Sequence, residues 1–146
     1  MANREFTSSK VPVVVIGAAT LSADNTPSAI DLQGYDSATL LLQIGIGGIT
    51  FDGTNKIEFV LTHSDDNSTY TNVSATDLTG ASAPTTVTSG IIKSLIVAKA
   101  AADVSEYGYI GSKRYLKLLA DFSGTHGTGT PICATINKGK PFVTSA

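Results

Sequence analysis

Two segments of the chain, residues 56–73 and 108–122, alternate apolar and polar side chains with the period of two that is typical of half-buried β-strands. The apolar rows are Ile57, Phe59 and Leu61 in the first segment, and Leu116, Leu118, Ala120 and Phe122 in the second. A cluster of short polar residues, 64–68, interrupts the first segment and predicts a β-hairpin with a polar tip. We therefore predict that these two rows face each other across the core.

Further strands are predicted along the rest of the chain. They cover residues 11–16, where Pro12 indicates an edge or strand-initiating position, and residues 30–32, 37–46, 104–110 and 131–137. In residues 37–46 the predicted inward row is Ala38, Leu40, Leu42, Ile44 and Ile46. Residues 91–103 combine helical spacing with β-branched side chains, and a strand followed by a loop is favoured over a helix. Residues 74–90 carry little apolar bulk and predict a long surface loop.

This pattern of about eight short strands separated by turn signals is typical of an all-β sandwich or barrel. We predict a single-domain antiparallel β-sandwich, jelly-roll-like, over residues 11–146. Residues 1–10 are polar and irregular, and they predict a flexible N-terminal arm that becomes ordered against a partner.

Composition narrows the partners. The 146 residues carry a net charge of −2, and charged residues make up only 15% of the chain, so no basic surface is expected to bind nucleic acid. The longest apolar run near the start, residues 11–21, is too short for a membrane span, and membrane binding is not expected. The low charge suits a protein that contacts other protein surfaces.

Candidate chemistry is sparse. His63 or His126 could serve as the base of a hydrolytic triad, but the sequence has no Gly-x-Ser-x-Gly motif to supply the nucleophile. The single cysteine, Cys133, alternates with apolar residues and is predicted to be an unreactive residue of a strand. His126 lies among glycines and is predicted to be a solvated loop residue. The acidic groups near residues 52–55 and 65–67 lack the spacing of a calcium loop. We predict no catalytic, cofactor-binding or metal-binding residue, no cofactor and no enzymatic activity.

Lys113 and Arg114 lie just before the predicted strand of residues 115–122. They could bind an acidic partner, although two cations at the start of a strand are usually only solvated.

Four blocks of sequence resemble a group of small virion proteins of tailed bacteriophages, encoded near the major capsid protein. The blocks are residues 30–38 (IDLQGYDSA), 56–70 (a strand that ends in Ser64-Asp65-Asp66, followed by a turn), 108–115 (GYIGSKRY) and 123–125 (SGT). The resemblance implies a head decoration, or cement, protein on the outer surface of the capsid. Its partners would be the major capsid protein and further copies of itself in a homotrimer.

Two alternatives remain open. The Ser-Asp-Asp and Lys-Arg-Tyr blocks also resemble galactose-binding-type jelly-roll modules, which implies a carbohydrate-binding module on the virion surface. A tail or head-completion subunit is the other alternative.

Overall fold

The computed structural model describes residues 9–141 and is built almost entirely of β-strands. The strands are β1 (Lys10–Leu21), β2 (Ile30–Asp31), β3 (Tyr35–Ile44), β4 (Lys56–Ser64), β5 (Thr71–Asn72), β6 (Leu78–Thr79), β7 (Ile91–Leu95), β8 (Asp103–Tyr109), β9 (Tyr115–Ser123) and β10 (Thr130–Pro141). One 3₁₀ turn, Ala75–Asp77, precedes β6. Within residues 9–141 there is no helix long and apolar enough to cross a membrane.

Two antiparallel sheets pack face to face. Sheet A has the strand order β1-β10-β3-β8-β6, and sheet B has the order β2-β9-β4-β5, with β7 also paired to β4. Strands β7 and β5 share one edge of β4, because β7 pairs with its first half and β5 with its second half. The prediction of an all-β antiparallel sandwich is confirmed.

The order of the longer pairings follows one rule. When the short strands β5 and β6 are left out, β1 lies beside β10, β2 (also only two residues long) beside β9, β3 beside β8, and β4 beside β7. A long antiparallel ribbon that is rolled into two sheets gives this order, as in jelly rolls. Consecutive strands therefore cross repeatedly between the sheets, and their loops gather at the two ends of the sandwich. We name these the Ser64 end, where β4 finishes, and the Ile44 end, where β3 finishes.

Both apolar rows are buried between the sheets, as the alternation predicts. The prediction that the two rows face each other across the core is wrong, because β4 and β9 are neighbours in sheet B and their rows lie side by side on its inward face. Strands β4 and β9 pair in a register that places Phe59 opposite Ala120 and Leu61 opposite Leu118, and all four side chains are buried. From sheet A the facing side chains are those of alternate residues in three strands: Ala38, Leu40, Leu42 and Ile44; Tyr107 and Tyr109; Ile132, Ala134 and Ile136. Close packing of these rows excludes water and supplies most of the folding free energy.

The edge strand β1 is longer than predicted and irregular. Its pairing with β10 shifts register between Val14 and Ile16 and again between Ile16 and Ala19. Such bulges turn Val15 and Ile16 into the core while the rest of the strand stays largely exposed. Of the predicted arm, residues 1–10, the first eight lie outside the described residues, and Lys10 belongs to β1.

Residues 91–103 form a strand, β7, followed by a loop, as favoured from the sequence. Two other expectations are wrong. Ile46 does not continue the inward row of β3: the strand ends at Ile44, the chain leaves the sheet at the following glycines, and Ile46 is exposed. Residues 74–90 do contribute to the core, because β6 pairs with β8 and buries Leu78.

Candidate functional site

At the Ser64 end, the loop between β8 and β9 is fixed by two ion pairs. The Arg114 guanidinium donates two hydrogen bonds of 2.8 Å to the Asp31 carboxylate, and Lys113 Nζ lies 2.6 Å from Asp65 Oδ2. The Arg114 hydrogen bond lowers the pKa of Asp31 from 3.8 to about 2. Both cations singled out in the sequence are thus paired within the chain, which leaves little of their charge for an acidic partner.

A polar cavity of about 420 Å³ opens beside this loop. Its walls include Gln33, Asp36 and Ser112, whose side chains make none of the hydrogen bonds found in the described part of the chain, and the ring of Tyr35. The lining cations Lys113 and Arg114 are held by carboxylates. The free groups are therefore an amide, a carboxylate and a hydroxyl, which can bind a small neutral polar ligand better than an anion.

Tyrosine rings stacked with cations surround the same end. Lys138 Nζ lies 4.8 Å from the centre of the Tyr35 ring, and Lys117 Nζ lies 4.4 Å from that of Tyr70. Arg114 lies 4.8 Å from the Tyr115 ring. Each cation covers one ring face, so these tyrosines are oriented by contacts within the chain.

His63 is buried at this end and bonded to a tyrosine. Its Nδ1 lies 2.8 Å from the Tyr109 hydroxyl, which also accepts a hydrogen bond from the Lys113 backbone N–H. Burial lowers the pKa of His63, which favours the neutral ring, and a neutral ring protonated at Nε2 accepts a hydrogen bond from the tyrosine O–H at Nδ1. No serine hydroxyl contacts His63 among the described hydrogen bonds, so the structure brings no hydrolytic triad together here.

His126 lies at the Ile44 end and is buried, with 3% of its surface exposed. The expectation of a solvated loop residue is wrong. Its ring packs edge-on against Phe122 at a centroid distance of 4.7 Å, and Nε2 donates to the Ser123 carbonyl at 2.8 Å. The glycines around it allow the loop to fold back over the core, and no local sequence signal distinguishes this from an exposed loop.

In the two acidic turns, the carboxylates accept hydrogen bonds from nearby backbone N–H groups. Asp66 Oδ1 accepts the N–H groups of Ser68 and Thr69 at 2.9 Å each, and these bonds lower its pKa to about 2. Asp52 Oδ1 accepts those of Thr54 and Asn55 in the same way. Within residues 9–141 no group of three or more His, Cys, Asp or Glu side chains is arranged to hold a metal ion. These carboxylates therefore act as turn formers.

The outward sides of the two sheets differ in charge. The outward residues of β1, β10, β3 and β8, which we name the low-charge face, contain two charged side chains, Lys10 and Glu106. Its other members include Pro12, Val14, Thr20, Ser37, Thr39, Leu41, Gln43, Val104, Gly108, Pro131, Cys133, Thr135, Asn137 and Gly139. The outward side of sheet B carries the charged residues Asp31, Lys56, Glu58, Lys117 and Asp121. Covering the low-charge face with a partner therefore costs less desolvation free energy than covering the outward side of sheet B.

A shallow groove of about 630 Å³ crosses the low-charge face near the Ile44 end. It is lined mainly by small or apolar side chains, including Ala18, Val104 and Pro131, and also by Asp103, which is paired with Lys93 and Lys99. Cys133 lies in it, half-buried, and its Sγ donates to Gln43 Oε1 at 3.2 Å. The thiol occupies an outward strand position between buried Ile132 and Ala134, as its alternation in the sequence predicts.

The architecture thus places the chain among all-β sandwich proteins, with a polar cavity at one end and a low-charge sheet face. No protein-family model matches the sequence, and no curated protein matches it. Among solved structures, the SPBc2 prophage-derived protein YomS is similar, with 15% sequence identity and a TM-score of 0.44, over 88% of this chain and 91% of that one.

Proposed function

We propose that this chain is a non-enzymatic structural protein of a phage head, which binds the outer surface of the assembled shell as a decoration protein. The major capsid protein would be its partner. The sequence resemblance of residues 30–38, 56–70 and 108–115 supports this proposal. The structural observation that carries it is the low-charge face, since a broad sheet surface with so few charges is suited to contact with another protein.

The mechanism is mass action. A protein that binds the assembled lattice but not its free subunits stabilises the lattice by the free energy of that binding. Attachment across the boundary between neighbouring capsomers meets this condition, because such a site exists only after assembly. No chemistry on the shell is required, and the rigid sandwich changes little on binding.

The test is to add the purified protein to bare shells of its phage, remove unbound protein by sedimentation, and count the copies that remain on each particle. Many copies per particle, together with a higher temperature of shell disruption, are expected. A dozen or fewer copies confined to one vertex would favour a head-completion or tail subunit. Absence of binding to shells would overturn the proposal.

The polar cavity favours a second candidate function, a carbohydrate-binding module on the virion. Gln33, Asp36 and Ser112 offer the amide, carboxylate and hydroxyl groups that bind sugar hydroxyls, and the Tyr35 ring supplies an apolar wall. A glycan array probed with the protein tests this function. Binding that is lost in a Gln33→Ala/Asp36→Ala variant, while shell binding is unchanged, would assign the cavity to a sugar.

A further inference from the structure

We infer that the low-charge face is the surface by which this protein contacts the shell, and that its partner is a flat protein surface of equally low charge. The inference rests on the proposed function, because it names the surface and the partner chemistry for the same attachment. Three observations carry it: the residues of the face, the state of the sheet edges, and the area available.

Apart from Glu106 on β8, the central rows of the face are apolar or neutral. In register across four strands lie Val14, Thr135, Leu41 and Glu106, and the next outward row holds Cys133, Gln43 and Val104. Val14 is 67% exposed and Val104 is 58% exposed. Burying these side chains is favourable, whereas covering the outward side of sheet B would desolvate several charges at once.

The edges of sheet A are poorly suited to a partner strand. Pro12 in β1 has no N–H to donate, and two bulges further along the strand break the regular spacing of its free edge. At the opposite edge, β6 has two residues and pairs with the end of β8 alone, and further along β8 the Glu106 N–H donates to Ser82 Oγ. A partner that added a strand would find few regular hydrogen-bonding positions, so attachment to sheet A through its flat face is favoured.

The area of the face bears on whether its partner is a single second copy or a repeating shell surface. Four strands spaced by about 4.8 Å and about nine residues long give a footprint of roughly 600 Å². Two copies joined through this face alone would bury about 1,200 Å² in total, the lower limit for a specific interface. If copies are joined in the proposed trimer, their footprints on a shell add, and the combined attachment becomes much stronger than one contact. A repeating shell surface therefore fits the face better than a single second copy.

The decisive variant is Leu41→Lys, since Leu41 is a half-buried outward residue of the central strand β3. Leu119→Lys is the matched control, because Leu119 is a half-buried outward residue of the central strand β9 in sheet B. Shell binding is expected to weaken at least about tenfold for Leu41→Lys, where a charge enters the contact, and to stay near wild type for Leu119→Lys. Gln43→Lys, at an exposed position of the same face, replaces Leu41→Lys if that variant does not fold.

A second measurement uses the natural thiol. Cys133 is the single cysteine of the chain and lies in the low-charge face, so its alkylation by a maleimide, followed by mass spectrometry of this chain, reports whether the face is covered. Alkylation is expected to slow when the protein is bound to shells and to keep its rate when the protein is free.

The outcomes separate the two proposals. If wild-type protein does not bind shells, the proposed function fails. If it binds, but Leu41→Lys and Gln43→Lys bind equally well and Cys133 stays reactive, the function stands and the assignment of the face is overturned. If these variants instead dissociate an oligomer of the free protein, the face is a contact between copies, which also overturns the inference.

Discussion

Single residues at the Ser64 end fix the loops that shape the polar cavity. Ser64 is almost fully buried, and its hydroxyl lies within hydrogen-bond distance of the backbone N–H groups of Asp66 and Asn67. Asn67 adopts a positive φ of 58°, a backbone conformation that asparagine tolerates better than most residues. The cluster of short polar residues in the sequence is therefore a rigid turn, held by bonds between side chains and backbone.

Phe59→Ala is expected to lower the free energy of unfolding by about 3–5 kcal/mol, because the ring is completely buried and its removal leaves a cavity. The control is Val60→Ala, at the adjacent outward and partly exposed position of the same strand, which should cost less than half as much. Urea unfolding followed by circular dichroism measures both. Equal effects of the two substitutions would show that the inward row has been misassigned.

Asp31→Asn tests the ion pair with Arg114. The pKa of Asp31 is lowered in the folded state from 3.8 to about 2, so the carboxylate contributes stability that is present above about pH 4 and is lost as the pH falls towards 2. Asp31→Asn should therefore unfold at lower urea concentration than wild type at pH 7, and the difference should shrink between pH 4 and pH 2. The control is Asp36→Asn, since Asp36 makes none of the described ion pairs. A difference for Asp31→Asn that does not change with pH would contradict the assignment.

Among the elements, β4 is the centre of sheet B. It pairs along its whole length with β9, and its other side is divided between β7 and β5. A bulge between Phe59 and Val60 in the pairing with β7 accompanies this division. Alternation in the sequence identifies both long strands, but the return strand β5 has only two residues, so the predicted hairpin is short.

Removal of residues 1–10 tests the role of the N-terminal arm at the scale of one element. The sandwich retains β1 from residue 11 onwards, so the thermal midpoint of the free protein should change little. Attachment to shells is expected to weaken, because an arm that becomes ordered on binding adds contacts there. Titration of truncated and full-length protein onto bare shells compares the affinities. Equal affinities would mean that the arm takes no part in attachment.

At the scale of the whole molecule, the two sheets are joined at one open side by polar contacts. Lys93 on β7 reaches across to sheet A, where its Nζ lies 2.8 Å from Ser105 Oγ and 3.2 Å from Asp103 Oδ2. Lys99 also pairs with Asp103, at 2.8 Å. These contacts close the gap between β7 and β8, so the sandwich presents two faces and two ends to its surroundings.

The protein is expected to be a homotrimer, either in solution or on the shell. Closed symmetry lets one surface patch be used repeatedly, and threefold positions of an icosahedral lattice accept such a trimer. Light scattering coupled to size exclusion gives the mass of the free protein, and a map of the decorated particle gives its arrangement. A monomer in solution together with isolated single copies on the particle would rule out the trimer.

The sequence alone indicates most of the long strands and the side of each that is buried, because the period of two is a local property of the extended chain. It does not indicate the two-residue strand β6 or the bulges of β1. The inward rows of β3, β4 and β9 follow from it directly, with Ile46 as an exception where glycines end the strand. The polar turn at residues 64–68 and the strand position of Cys133 are likewise predicted from neighbouring residues alone.

Only the tertiary structure decided which strands are neighbours, since antiparallel pairing depends on residues far apart in the chain. It placed Arg114 against Asp31 and Lys113 against Asp65, and it folded a glycine-rich loop so that His126 became buried. It also brought the outward residues of β1, β10, β3 and β8 into one low-charge face. Each of those strands carries an ordinary pattern by itself, and the face exists only because the rolled ribbon sets them side by side.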